Sequence, residues 1–309
     1  ASKIHYYSFV EMFDFLQEQQ TDIMIAGYMD AYRQAPEPKT AVPHAPYSVS
    51  RNLFKLVNEL NTSKGTVSIH NQETPAEQDF FMQGSGGFFD FYKNFGFDLG
   101  HFQPTAKTSI HYAMSNMDPK HRTIFVHNTL TSPEDIQAAQ TWSSQVYWAT
   151  CANANLYIEN RLPFYQHFIQ ANARMTIGTD SLTSNWQLSI LEEMKTIAKY
   201  QSYVSFETLL LWATLNGAMA LGMDDQLGTC REFPLEAAVN LGDIDTDLAG
   251  ERALFGDVDQ ARVPRGLHMA FDHQRVAVGD LDALELDGVA AAQVDDDVSA
   301  LLHLSLIHI

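Results

Sequence analysis

The sequence predicts an α/β fold, specifically a partial (β/α)8 barrel of the TIM type that lacks its first two strands. Short apolar runs alternate with helical segments at spacings of a few tens of residues, which is typical of parallel strands joined by helices. Several runs end in a histidine or an aspartate, and the active site of such a barrel lies at the carboxyl ends of its strands. Six runs are found where a barrel has eight, and residues 1–223 fall short of the roughly 250 residues that a barrel usually takes.

The predicted strands are apolar segments that turn polar at their carboxyl ends. They run over residues 4–10, 40–44, 66–70, 123–127, 146–151 and 174–180. Alternation is clearest in the third strand, where Val67 and Ile69 alternate with small polar residues. Pro43 and Pro46 lie on either side of His44 at the end of the second strand, and they predict a rigid loop at this point.

Helices are predicted in most of the connections. An apolar spacing of i, i+3, i+4 and i+7 from Leu53 predicts a helix with Ser50 as its N-cap. Ser132 and Ser205 mark the starts of two further helices. Residues 80–102 are rich in Phe and Gly and leave two alternatives open. They form either a flexible loop that covers a substrate or a helix that packs its aromatic side chains on the barrel.

Four polar side chains stand where the predicted strands end, namely His44, His70, His127 and Asp180. Glu73 follows His70 by three residues, close enough to exchange protons with a water molecule on a metal that His70 would hold. Each of these residues taken alone is more often a surface or structural side chain. The repetition of one pattern at four strand ends is what indicates a metal-assisted catalytic site.

Taken in order, these segments resemble the amidohydrolase superfamily, and most of all its cytosine deaminase-like and chlorohydrolase branch. The resemblance covers residues 1–229 and is carried by residues 44–48 (HAPYS), 70–73 (HNQE), 125–128 (FVHN) and 178–181 (GTDS). Residues 151–155 (CANAN) are also similar to the Cys-Pro-x-Ser-Asn segment of that family. The resemblance implies a hydrolytic deaminase of an amino-substituted heterocycle. Adenosine-like nucleosides such as adenosylhomocysteine, methylthioadenosine or aminofutalosine are the expected substrates.

The resemblance also implies roles for individual residues. His70 and Asp180 would be metal ligands, and metal-bound hydroxide would attack the substrate. Glu73 would be the general acid and base that delivers protons to the leaving amine. His127 would polarise the metal-bound water, and Asp180 would accept its proton.

The remaining roles implied by the resemblance concern the substrate and the cofactor. His44 and Ser181 would line the substrate pocket. One divalent metal is expected, with zinc as the first expectation and iron as the alternative. A small heterocyclic molecule is the expected partner, and the complete protein is expected to be a homo-oligomer.

One departure from the family pattern is large. The family has a His-x-His pair of metal ligands at the end of its first strand, and no His-x-His occurs in these 309 residues. We interpret the chain as an N-terminally truncated fragment, inactive by itself, of a longer hydrolase that acts on carbon–nitrogen bonds. The alternatives are a chlorohydrolase or cyclic amidase on the same scaffold, or a non-catalytic remnant.

The composition changes abruptly near residue 230. Residues 230–309 contain no Lys, Tyr or Trp and carry a net charge of −11. This change predicts a boundary between a barrel domain at 1–229 and an acidic tail at 230–309. We interpret the tail as out of frame or chimeric. The alternative is a genuine tail that contains strands at 275–278 and 289–294.

The overall composition excludes several classes of protein. A net charge of −19 argues against nucleic acid as a partner. No apolar run reaches the roughly 18 residues of a membrane span. Two cysteines provide no disulfide framework, so a reducing cytoplasm is the expected compartment.

Overall fold

The computed structural model describes residues 5–100, 102–229 and two short strands at 269–272 and 275–278. Six parallel strands follow one another in chain order: β1 Ser8–Met12, β2 Lys39–Pro43, β3 Thr66–Asn71, β4 Arg122–His127, β5 Val146–Thr150 and β6 Met175–Ile177. β1 pairs with β2, and β3 to β6 pair in sequence. The amide of His70 donates to the carbonyl of His44 at 2.9 Å and joins these two groups of strands. The predicted α/β fold with parallel strands is therefore confirmed.

Helices connect the strands. They are α1 Thr21–Gln34, α2 Arg51–Leu60, α3 Pro75–Gln83, α4 Gly87–Asn94, α5 Ser109–Asn116, α6 Pro133–Trp142, α7 Ala152–Glu159, α8 Tyr165–Gln170, α9 Ile190–Tyr200, α10 Phe206–Ala213 and α11 Leu215–Leu221. None of the helices in the described part of the chain combines the length and the apolar character that a bilayer crossing requires.

Two further strands lie in the acidic tail. β7 Met269–Asp272 and β8 Arg275–Val278 form an antiparallel pair, and β8 meets β1 at Ser8. The strand expected at 275–278 is thus present, and the one expected at 289–294 lies outside the described residues. The domain boundary after residue 229 stays a prediction.

The first strand lies later in the chain than the apolar pattern predicted. The prediction of 4–10 was wrong at both ends, because residues 8–12 pair one by one with residues 39–43. Glu11 is therefore a residue at the carboxyl end of a strand. The next apolar stretch, from Ile23 to Met29, belongs to α1, and Ile23 is 78% exposed there.

The aromatic segment at 80–102 contains the end of α3 and all of α4, which favours the helical alternative. Phe80 and Phe81 on α3 and Tyr92 on α4 are all fully buried. The ring of Phe80 stacks on that of Phe102 with centroids 4.0 Å apart. Most aromatic rings of the segment pack in or against the core, and the exposed ones are Phe91 at 36% and Phe95 at 49%.

Large aromatic side chains pack the helices against the outer side of the strands. Trp148 on β5 is fully buried, with its ring 5.2 Å from Phe125 on β4 and 5.4 Å from Phe168 on α8. Close packing of large rings between a sheet and a helix leaves adjacent strands little freedom to slide. Because β3 to β6 pair in parallel, their carboxyl ends lie at one edge of the sheet.

The predicted N-caps are present. Ser50 Oγ accepts from the amide of Leu53, and Ser205 Oγ accepts from the amide of Thr208. Ser132 forms a reciprocal capping box with Asp135 at the start of α6. Asp135 also accepts a hydrogen bond from the side chain of Gln72 at 2.9 Å, so this cap is linked to the loop after β3.

We expect the substitution Ser132→Ala to lower the free energy of unfolding by about 1 kcal/mol, because it removes the hydroxyl from the capping box. Urea denaturation of the 309-residue chain measures this. Ser85→Ala, at an exposed serine, is the matched control and should change stability by less than about 0.5 kcal/mol. Equal effects of the two substitutions would contradict a capping role for Ser132.

Candidate active site

Two imidazoles and a carboxylate meet at the carboxyl ends of β1, β2 and β3. His70 is the last but one residue of β3, and its Nε2 lies 3.0 Å from Glu11 Oε1 on β1. The ring of His44, one residue past β2, has its centroid 4.8 Å from that of His70. Glu11 and His70 are buried, and His44 is half-buried.

A third imidazole and a second carboxylate continue this cluster. His70 Nδ1 lies 3.1 Å from His127 Nε2 at the end of β4, and the two rings are stacked. His127 Nε2 also lies 3.3 Å from Glu73 Oε1, which follows β3. The contacts thus run without interruption from Glu11 through His70 and His127 to Glu73.

His127 is held in an unusual backbone conformation. Its φ is +70° and that of Asn128 is +61°, a left-handed region that non-glycine residues seldom occupy. The side chain of Asn128 compensates by donating to the carbonyls of Phe125 and Ala149. Such strain collects at functional sites because surrounding contacts must hold it in place.

Asn155 on α7 orients the His127 ring. Its Oδ1 lies 2.8 Å from His127 Nδ1, and its Nδ2 donates to the His127 carbonyl at 3.3 Å. Asn155 lies in the segment 151–155 that resembles a family motif, although its role could not be read from the local pattern. With Asn155 on one ring nitrogen, Nε2 faces His70 and Glu73.

Several contacts hold His44 in the loop after β2. The amide of His44 donates to the carbonyl of Met12 at 3.0 Å, and its Nδ1 lies 2.6 Å from Ser48 Oγ. The ring also packs edge-on against Phe13 and Tyr47. A side-chain partner on Nδ1 fixes the orientation of the ring, as is common for imidazoles that hold a metal.

Asp180 follows β6 and is buried in a tight turn with a φ of +58°. Its Oδ1 accepts from the amide of Ser181 at 2.8 Å, and its Oδ2 accepts from Ser184 Oγ. Ser181 is also buried, and its Oγ accepts from the amide of Thr183 at 3.2 Å. Both side chains therefore take part in the structure of this turn.

Cys151 lies near the same edge. Burial raises the pKa of its thiol well above the usual value, and the carboxylates of Asp180, Glu193 and Glu73 raise it further. A buried thiol with a raised pKa is a poor nucleophile. Cys151 is therefore a poor candidate for a nucleophile at this site.

The cluster contains a donor set that fits a divalent metal. Glu11, His44 and His70 each offer one ligand atom, and these atoms lie within 4.8 Å of one another. Two imidazoles and one carboxylate form a known protein ligand set for catalytic zinc, and the same donors also suit iron. Among the described residues this group does not include Asp180.

The structure brings four of the predicted site residues together, namely His44, His70, Glu73 and His127. It places Asp180 and Ser181 in the turn after β6. The individual roles of all six residues stay predictions. Glu11 was missed because the first strand was ended at Val10, although an acidic residue closing an apolar run is the same signal that identified the others.

Parallel strands connected by helices form an α/β fold, and imidazoles and carboxylates gather at the carboxyl ends of these strands as a candidate active site. The amidohydrolase family matches residues 39–232, which is more than half of the chain. The chain belongs to the amidohydrolase family.

Known relatives support this assignment. The chain is 27% identical over 217 residues to an adenosine deaminase from Helicobacter pylori, covering 69% of this chain and 48% of the relative. It is 28% identical over 214 residues to an aminodeoxyfutalosine deaminase from Nitratiruptor sp., covering 66% of this chain and 50% of the relative. The chain therefore spans about half the length of the curated relatives it matches.

The fold is also similar to that of a solved structure, the Helicobacter pylori aminofutalosine deaminase in complex with methylthio-coformycin. The TM-score is 0.58 at 23% sequence identity, and the similarity covers 70% of this chain and 54% of the other. At this level of identity the comparison establishes the fold.

Proposed function

We propose that the protein containing this chain is a metal-dependent hydrolytic deaminase of an amino-substituted heterocycle. The observation that carries the proposal is the buried series of contacts from Glu11 through His70 and His127 to Glu73. In a member of the amidohydrolase family, this series supports Glu73 as the proposed proton-transfer carboxylate, since Glu73 lies beside imidazoles at the carboxyl ends of the strands. An adenosine-like nucleoside is the proposed substrate, because the relatives described above are deaminases of adenosine and aminodeoxyfutalosine.

One divalent metal is proposed, with zinc before iron. Of the possible donors Glu11, His44 and His70, we assign Glu11 and His70 to the metal and His44 to the substrate, and Asp180 is the ligand that the family resemblance adds. When bound, the metal would supply Lewis-acid activation of water at neutral pH.

The side chains of this chain would handle the protons. Water adds to the amine-bearing carbon, the carbon–nitrogen bond breaks and ammonia leaves. Asp180 would accept a proton from the attacking water, and Glu73 would deliver one to the departing amine. His127, 3.3 Å from Glu73 Oε1, would hold that carboxylate in place and hydrogen-bond the attacking water. His44 and Ser181 would contact the substrate.

We also propose that β1 to β6 are six of the eight strands of a complete barrel. The six strands adjoin one another in chain order, and a barrel of this class closes with eight. The two further strands, with the His-x-His that completes the family ligand set, would come from sequence beyond these 309 residues. The complete protein is further proposed to be cytoplasmic and homo-oligomeric.

The proposal is tested with a protein extended at its N-terminus by the genomic sequence that precedes residue 1. We expect the extended protein to release ammonia from adenosine-type nucleosides and the 309-residue chain to show negligible turnover. No ammonia from a panel of purines, pterins and pyrimidines would overturn the deaminase proposal. Release of chloride, or opening of a cyclic amide, would assign a different leaving group to the same scaffold.

Metal binding gives a separate prediction. We expect the 309-residue chain to bind zinc weakly, and Glu11→Gln to weaken that binding by about tenfold or more, because an amide is a poorer ligand than a carboxylate. Isothermal titration calorimetry at constant pH measures the affinity. Glu37→Gln is the matched control, since the Glu37 side chain is 74% exposed. Unchanged affinity in Glu11→Gln, together with a loss in Asp180→Asn, would exclude Glu11 as a ligand.

A further inference from the structure

Residues Thr74 to Glu77 have the Thr-x-x-Glu pattern of a capping box. In that motif the glutamate side chain returns to the amide of the capping residue. Thr74 does cap α3, with its side chain accepting from the amide of Glu77 at 3.3 Å. The Glu77 carboxylate reaches further back. Its Oε1 accepts from the amide of Gln72 and its Oε2 from the amide of Glu73, both at 3.0 Å.

This carboxylate lies deep in the protein. The Glu77 side chain is 0% exposed, and burial raises its pKa to about 7, although Ser109 and the two amides act to lower it. Burying a carboxylate is costly unless strong donors compensate for the lost water. The backbone amides of Gln72 and Glu73 are such donors.

The loop that Glu77 holds is strained. Gln72 has a φ of +48°, a left-handed conformation that is unfavourable for a non-glycine residue. The side chain of Gln72 is also fixed, since it donates to Asp135 Oδ2 at 2.9 Å and accepts from Thr131 Oγ1 at 2.7 Å. The next residue is Glu73, so the backbone at Gln72 determines whether the Glu73 carboxylate reaches His127.

We propose that Glu77 is a positioning residue for Glu73. The Glu77 carboxylate accepts hydrogen bonds from the amides of Gln72 and Glu73, and it thereby holds the Glu73 carboxylate against His127. We call these two hydrogen bonds the Glu77 clamp. The clamp is part of the fold, and only its effect on catalysis rests on the proposed function. The competing explanation is that Glu77 serves only to cap α3. Under that explanation, removing Thr74 would have the same consequences as removing Glu77.

The test compares Glu77→Gln with Thr74→Ala in the 309-residue chain. In Glu77→Gln the side chain keeps one acceptor oxygen and turns an NH2 group, which cannot accept, towards one of the two backbone amides. Thr74→Ala weakens the same helix terminus but leaves the hydrogen bonds of the Gln72 and Glu73 amides intact. Hydrogen exchange resolved at these two amides is the first readout. The NMR signals of the His127 ring, compared with those of Glu73→Gln, are the second.

We expect Glu77→Gln to accelerate exchange of the Gln72 and Glu73 amides by about tenfold or more, and to move the His127 signals towards those of Glu73→Gln. Thr74→Ala should lower the melting temperature but leave the exchange rates of the two amides and the His127 signals unchanged. If Glu77→Gln does not fold, Glu77→Asp, which keeps the charge but shortens the reach, should show the same changes in smaller measure. Unchanged exchange and signals in the Glu77 variants, or equal changes in Thr74→Ala, would overturn the proposal.

The deaminase proposal and the Glu77 proposal can be rejected independently of each other. Absence of ammonia release by the extended protein, with the clamp detected by exchange, would reject the deaminase and retain the clamp. If the extended protein is active, Glu77→Gln should lower its kcat by about tenfold to a hundredfold with little change in KM, because Glu73 would be displaced from its position. An unchanged kcat would reject the positioning role even with the reaction established.

Discussion

Replacing Glu73 with glutamine is expected to lower the rate of ammonia release by the complete protein by about 10²- to 10⁴-fold. That loss corresponds to roughly 3–5 kcal/mol of activation free energy. Glutamine matches the size of glutamate but neither accepts nor delivers a proton at neutral pH. Glu73 is buried, and its Oε1 lies 3.3 Å from His127 Nε2.

Steady-state kinetics on the extended protein distinguish proton transfer from a structural effect. The loss should fall on kcat, with KM changed by less than about threefold, since substrate contacts are assigned to His44 and Ser181. Glu59→Gln on α2 is the control, because the Glu59 side chain is 59% exposed. A Glu73→Gln variant that retained more than about a tenth of the activity would assign the proton transfer to another group, with Asp180 and His127 as the first candidates.

Strand ends were the most predictable part of the site. His70 and His127 were identified because each closes a short apolar run, and the structure places both at the carboxyl ends of paired strands. Glu11 obeys the same rule and was missed through an error in the strand boundary. Its position depends on pairing with residues 39–43, which no local pattern reports.

Residues that act through distant contacts were beyond the reach of sequence patterns. Asn155 meets His127 across 28 positions of sequence, and Glu193 meets Asn153 across 40. The segment at 80–102 was ambiguous for a related reason. Its many aromatic residues are compatible with a loop or a helix until a neighbour such as Phe102 stacks on Phe80.

Glu193 provides the second large effect, on stability. Its carboxylate on α9 is buried and accepts from the amide and the side chain of Asn153, both at 2.9 Å, and from the side chain of Asn185 at 2.7 Å. Asn185 also donates to the carbonyl of Thr179, next to Asp180. Glu193 thus ties the start of α7 to the turn that holds Asp180.

Burial raises the pKa of Glu193 from 4.5 to about 7, against the hydrogen bonds that lower it. Between these two pH values the folded chain keeps a proton that the unfolded chain has released. The free energy of unfolding therefore falls as pH rises from about 4.5 to about 7, and this one group accounts for about 3 kcal/mol of the fall. Glu77, whose pKa is also raised to about 7, acts in the same direction.

The substitution Glu193→Gln should remove this dependence, because glutamine stays neutral throughout the range. Urea denaturation at about pH 5 and pH 8 gives the change in stability for each variant, and we expect it to be about 3 kcal/mol smaller in Glu193→Gln than in the wild-type chain. The neighbouring Glu192→Gln, whose side chain is 34% exposed, should retain the wild-type change. If Glu193→Gln lost as much stability between the two pH values as the wild type, Glu193 would have to be ionised in the folded chain already at pH 5. The three hydrogen bonds that lower the Glu193 pKa would then outweigh the burial that raises it. An ionised Glu193 would in that case link α7 to the Asp180 turn throughout the physiological pH range.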